Sequence, residues 1–246
     1  KFIDYNIKDV ELVDRFEDKM GLITLGLTMA YRGGVNYTDV FGTTAIWDSI
    51  IFRDLYQNNV IVPFPKDQLK GDYPGGYVKE PQVGGHNWVM SFDLNSLYPH
   101  LIMQFNISPE KMVNGMRQDV NVDKMLNKEC NLNEVYRLGH TVTPNGVMFK
   151  RDKQGFLPEL MEKFYDERKA WKKKMIGYQK ELETVSDNVQ RKELETKIKH
   201  AYNNQQVRKI ALNSAYGSLA NQYFAFFDPN LAEAITMSGQ LIIFFL

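Results

Sequence analysis

One cysteine, Cys130, is all the chain has, which excludes an internal disulfide and with it a small cross-linked scaffold. A lone thiol suits a reducing compartment, and the cytoplasm is the expected location. No stretch approaches the roughly 18 to 20 apolar residues that cross a bilayer, and the first residues lack the basic and apolar regions of a signal peptide. A membrane partner is therefore not expected. Net charge is absent too: 30 Lys and Arg offset 30 Asp and Glu, so the overall balance neither points to a polyanion nor rules one out. Prolines number 9 in 246 residues, and no repeat or low-complexity tract occurs, which argues against fibrous and disordered classes. Methionine is missing at position 1, and the last six residues, LIIFFL, carry no helix stop signal such as a following Gly, Asn or Pro. Both ends read as cuts.

What is present suffices for a globular core, in one domain or in parts of two or three. Residues 1–20 space Ile7, Val10, Leu12, Val13 and Phe16 as an amphipathic helix running into Gly21. A second apolar segment runs from Gly21 to Tyr31, and a third from Thr44 to Tyr56, opening with threonines suited to capping. Between Val60 and Gly85 prolines alternate with glycines, the composition of a connector. Trp88 to Leu94 is a β-prone run that ends on Asp93, and Ser96 to Ile102 opens a helix that tolerates Pro99 in its first turn. Residues 112–157 are turn-rich, with Thr143-Pro-Asn-Gly and Lys153-Gln-Gly as signals of strands or a small subdomain. Two long antiparallel helices follow from Pro158, broken near Glu183 to Asn188 and resuming to about Leu219.

Three constellations carry chemistry. Asp93 ends the apolar run just before helix-opening amides, a place where a hard cation such as Mg²⁺ could meet a carboxylate and phosphate oxygens; equally, an aspartate there is an ordinary turn or cap residue. Lys209, Asn213 and Tyr216 fall at i, i+4 and i+7, so a cation, an amide and a ring share one helix face beside Gly217. That face suits a triphosphate at one end and a flat base pair at the other, or simply solvent. Arg168 and Lys172, at i and i+4, form a further phosphate-gripping pair or a wet surface. Within 161–210, thirteen Lys or Arg stand against eight Asp or Glu, so the positive charge is concentrated in the helical hairpin.

The segments DLNSLYP at 93–99 and KIALNSAYG at 209–217 resemble motif A (D-x2-S-L-Y-P) and motif B (K-x3-N-S-x-Y-G) of the family B DNA polymerases. Tyr73-Pro-Gly-Gly76 is similar to the segment that joins the exonuclease and polymerase modules of that family, and Tyr5-Asn-Ile-Lys-Asp9 to its third exonuclease motif. VKEP at 78–81, NISPE at 106–110 and PNG at 144–146 are most similar to the T-even-type phage branch, which would put the protein in a host cytoplasm. The resemblance implies an α/β (α+β) fold. Its parts would be the end of a 3′–5′ exonuclease domain (1–59), a linker (60–85), the first part of a palm (86–157), a two-helix fingers hairpin (158–217) and further palm (218–246).

It further implies that Asp93 and Lys209 are catalytic and that Asp93, with the carbonyl of Leu94, binds two Mg²⁺. Ser96, Leu97 and Tyr98 would line the triphosphate site, with Tyr98 as a gate against a 2′-hydroxyl. Arg168, Lys172, Lys209 and Asn213 would hold the incoming deoxynucleoside triphosphate, and Tyr216 and Gly217 would check the nascent pair. Tyr73, Gly75 and Gly76 would contact primer–template DNA. Asp9 would bind an editing-site metal, with Tyr5 positioning its water. A sliding clamp would be a partner through regions outside this sequence. His100 stands where the family commonly has serine, and the second metal-binding motif, Y-x-D-T-D-S, does not occur. An isolated chain is therefore expected to be inactive. Without the motifs, the hairpin would read as a non-enzymatic interaction module; with them, half of a split polymerase is the other alternative.

Overall fold

The computed structural model describes residues 1–62 and 73–245. Of the connector expected at 60–85, positions 63–72, with Pro63, Pro65 and Gly71, lie outside the described residues. In chain order the helices are α1 (Phe2–Met20), α2 (Leu22–Gly33), α3 (Thr43–Gln57), α4 (Leu97–Phe105), α5 (Val122–Leu126), α6 (Asn133–Arg137), α7 (Phe156–Thr184), α8 (Asn188–Leu219) and α9 (Pro229–Phe245). The strands β1 (Met112–Met116), β2 (His140–Val142) and β3 (Val147–Lys150) form one antiparallel sheet in the order β1-β3-β2. The chain divides into one unit of 1–62 with 166–211 and another of 63–165 with 212–246. Among the described residues no helix is long and apolar enough to cross a membrane.

In the first unit, α1 stops at Gly21, whose φ of 62° is a left-handed conformation that glycine adopts without steric cost. None of its residues is buried. Glu17 turns back onto the next helix: the Ile23 amide donates to its carboxylate at 2.7 Å and the Thr24 hydroxyl at 3.3 Å. That amide contact holds the Glu17 carboxyl below its ordinary range. Helix α3 supplies apolar core through Ile46, Trp47, Ile50, Ile51 and Leu55, and the Trp47 indole donates to the Ala211 carbonyl of α8 at 3.2 Å. The threonines do not cap α3. Gly42, the extended residue that closes the preceding turn of Tyr37–Phe41, takes the cap position, so Thr43 is already helical.

In the second unit, α9 packs against α4, and the expected turn of PNG closes β2 onto β3. Gly146, at φ 84°, lies so close to Arg117 that a Cβ would sit 2.2 Å from its carbonyl oxygen; only glycine fits. Asn145 fastens the same turn to α9, donating to the Asn230 carbonyl at 3.0 Å and to Glu233 at 3.3 Å. Val120, Val135 and Val142 form a small separate core there.

NISPE builds a cap for α7. The Gly155 amide donates to Asn106 Oδ1 at 2.9 Å, Phe156 to Glu110 Oε1 at 2.9 Å and Leu157 to Ser108 Oγ at 3.4 Å. These are N–H groups that a helix start leaves without intrahelical partners. Asn106 also closes α4 in the left-handed conformation, so one residue ends one helix and starts another.

The strand expected at Trp88 to Leu94 is not formed. A strand needs a ladder partner, and among the described residues this segment pairs with none of the three strands. Trp88, at φ 59°, breaks the extended path as well. The apolar side chains are exposed, Trp88 at 99% and Phe92 at 89%.

Candidate active site

In the second unit, the segment after Asp93 enters α4 through Ser96, held in the left-handed region at φ 55°. Its carbonyl accepts from the His100 amide at 3.1 Å and from His100 Nδ1 at 2.8 Å. His100 thus pins this tight turn and lays its ring edge-on to Tyr165, centroids 4.7 Å apart. Asp93 and Leu94 are exposed, while Ser96, Leu97 and Tyr98 are half-buried. Among the described residues no three His, Cys, Asp or Glu side chains group closely enough to hold a metal by themselves. Asp93 and the Leu94 carbonyl offer hard oxygen donors, which fit Mg²⁺, an ion that takes one or two carboxylates together with phosphate oxygens.

Tyr98 and Tyr216, far apart in sequence, meet edge-to-face with ring centroids 4.9 Å apart. The Tyr73 hydroxyl lies 3.4 Å from that of Tyr216. Burial pushes the Tyr98 hydroxyl up; burial and then the Tyr73 contact push Tyr216 up further. The Tyr-Pro-Gly-Gly segment is tied to α9 by its backbone. The Thr236 hydroxyl donates to the Pro74 carbonyl at 2.8 Å and Gln240 Nε2 to that of Gly75 at 2.7 Å. A side chain on Gly76 would put its Cβ 2.9 Å from the Tyr98 oxygen, and one on Gly239 would put its Cβ 3.1 Å from the ring. Two glycines therefore make the slot in which Tyr98 sits. On α8, Asn213 and Gly217 are exposed and Tyr216 is half-buried, and a Cβ on Gly217 would meet nothing within 4 Å.

In the first unit, Lys172 and Lys209 are exposed and Arg168 is half-buried. The cation beside Lys209, Arg208, turns the other way. Its Nε and Nη2 donate to Glu167 Oε2 at 2.6 and 2.5 Å, its Nη1 donates to the Asn204 carbonyl at 2.9 Å, and its side chain is only 7% exposed. Trp171 faces His200 edge-on at 5.3 Å, with Lys174 4.6 Å from the indole centroid. Tyr5 and Asp9 lie exposed at i and i+4 on α1.

Sequence reasoning passed over Glu167, Arg208 and the three capping residues of NISPE. Cap-forming side chains at alternate positions 106, 108 and 110 were the available signal for the last group.

The chain belongs to DNA polymerase family B, whose family model matches residues 42–245. The chain is 30% identical to the DNA-directed DNA polymerase of Enterobacteria phage T4 and 31% identical to that of Escherichia phage RB69, over 98% of its own length in each case. It is 28% identical to DNA polymerase II of Escherichia coli over 97% of its length. The chain spans about 30% of the length of the two phage relatives. Its fold resembles that of the family B DNA polymerase of Pyrobaculum calidifontis, with a TM-score of 0.61 at 20% identity, covering 93% of this chain and 26% of the other.

Proposed function

We propose that this chain is the part of a template-directed DNA polymerase that supplies one catalytic carboxylate and the nucleotide-gripping helices. The substrates are a primer–template DNA and deoxynucleoside triphosphates, and the reaction is attack of the primer 3′-hydroxyl on the α-phosphate, forming a phosphodiester as the α–β anhydride bond breaks and pyrophosphate leaves. The single observation that carries the reading is the edge-to-face contact of Tyr98 with Tyr216, which joins the first motif to the C-terminal end of the second within one unit.

Asp93 and the Leu94 carbonyl would hold divalent metal, which would supply charge neutralisation at phosphate and activation of a hydroxyl nucleophile. Tyr98, wedged between Gly76 and Gly239, presents a ring that leaves no room for a 2′-hydroxyl. Arg168, Lys172, Lys209 and Asn213 neutralise and orient the phosphates, while Tyr216 and the open space at Gly217 test the shape of the new pair. Tyr73 steadies Tyr216 through its hydroxyl, and the strapped Tyr-Pro-Gly-Gly segment lies along DNA. Tyr5 and Asp9 contribute to a proofreading exonuclease in the longer protein. Host cytoplasm is the place of action for a phage protein of this kind.

The test is primer extension by the intact protein with Asp93→Asn. Activity should fall by at least about a hundredfold, the scale of losing one group that stabilises transition-state charge. Extension at the wild-type rate would remove Asp93 from the site. The 246-residue chain alone should show no extension, because its sequence holds one polymerase-motif aspartate and not its partner.

A further inference from the structure

The stretch of α7 from 166 to 184 contains no fully buried residue; its apolar side chains Trp171, Met175, Tyr178 and Leu182 are half-buried at helical spacing, so polar contacts with α8 share in fixing its register. Among the contacts along the seam are the Glu167–Arg208 ion pair and the Trp171–His200 ring pair. Near the tip, Arg191 adds another, donating to the Leu182 and Val185 carbonyls at 3.2 and 3.0 Å.

The ion pair has a geometric consequence for its neighbours. Consecutive helical residues are turned by about 100° and displaced by about 1.5 Å along the axis. Where two right-handed helices run antiparallel and two residues face one another across the seam, the next residue on each swings out on the same side. Glu167 precedes Arg168 and Arg208 precedes Lys209. Locking Glu167 onto Arg208 therefore delivers Arg168 and Lys209 to one side of the hairpin at nearly one level, and Lys172 joins them one turn along α7. Slipping α8 by one residue would rotate Lys209 out of that array.

We propose that Glu167 and Arg208 are positioning residues that set the register of the cations receiving the triphosphate; the proposal rests on reading Arg168, Lys172 and Lys209 as phosphate ligands. An ion pair with one partner buried, as Arg208 is here beside the half-exposed Glu167, adds little net stability yet can specify register. Arg208, committed to Glu167, Asn204 and the Trp171 face, is not itself a phosphate ligand.

The experiment is calorimetric titration of the full 246-residue chain with dATP and Mg²⁺, at a temperature well below the melting point of every variant. Lys209→Ala should weaken binding, and Glu167→Gln should weaken it about tenfold or more through misplacement. The apolar pair Glu167→Met with Arg208→Leu should melt near the wild type and still bind weakly. The reversed pair, Glu167→Arg with Arg208→Glu, should recover most of the affinity. Wild-type affinity in the folded apolar pair, or no recovery in the folded reversed pair, would overturn the positioning role. If Lys209→Ala leaves binding unchanged, the phosphate reading fails, and the proposal with it; if Lys209→Ala weakens binding and Glu167→Gln does not, only the positioning role fails.

Discussion

Tyr216 shows how a single hydroxyl ties the site to its pH range. Its pKa is raised above the ordinary 10.0 by burial first and by the Tyr73 hydroxyl second. A raised pKa means the folded chain keeps its proton where the unfolded chain loses it, so stability is intact below pH 10 and declines as pH rises through the folded value. Chemical denaturation should show this alkaline loss beginning near pH 10, and Tyr216→Phe should flatten it. A profile unchanged by the substitution would mean that the hydroxyl is not held as described. Glu17 works in the opposite direction: its lowered carboxyl contributes stability above its ordinary 4.5, which is lost as pH falls. Its site is exposed, so the effect should be a local fraying of α2, visible as faster amide exchange at Ile23 in Glu17→Gln.

At the scale of elements, the start of α7 depends on a segment far from it in sequence. Asn106 and Ser108 are buried, and removing the Asn106 side chain leaves the Gly155 amide without its acceptor. Asn106→Ala should cost about 1 to 3 kcal/mol by urea denaturation, more than the loss of a solvated cap; a change below about 0.5 kcal/mol would show the cap to be incidental. Helix content is legible in the sequence, because periodicity, Gly21 and the break near Glu183 are local signals that the structure keeps. The Tyr98–Tyr216 contact was not, since nothing in either motif's spacing encodes a partner more than a hundred positions away. The run at Trp88 to Leu94 misled for a related reason. β-propensity describes how a residue suits a pleated surface, and the ladder partner that would make that surface is not among the three strands described. Arg208 and Lys209 read alike in sequence, and only the position of Glu167 across the seam tells them apart.

Over the whole molecule, charge is balanced but unevenly distributed. With the basic excess gathered in 161–210, binding to duplex DNA should weaken steeply with salt, by about 0.9 log units of affinity per log unit of salt for each phosphate contacted. Titration across ionic strengths checks this, and a flat response would argue against phosphate contacts. The three tryptophans, Trp47, Trp88 and Trp171, occupy three different surroundings: one 1% exposed, one 99% exposed, and one set between an imidazole and an ammonium group on the hairpin. Each therefore emits in its own colour and intensity: Trp47 at the blue end, Trp88 at the red end, and Trp171 dimmed by its polar neighbours. A variant that keeps only Trp171 carries a built-in optical gauge of whether the two long helices stay clasped.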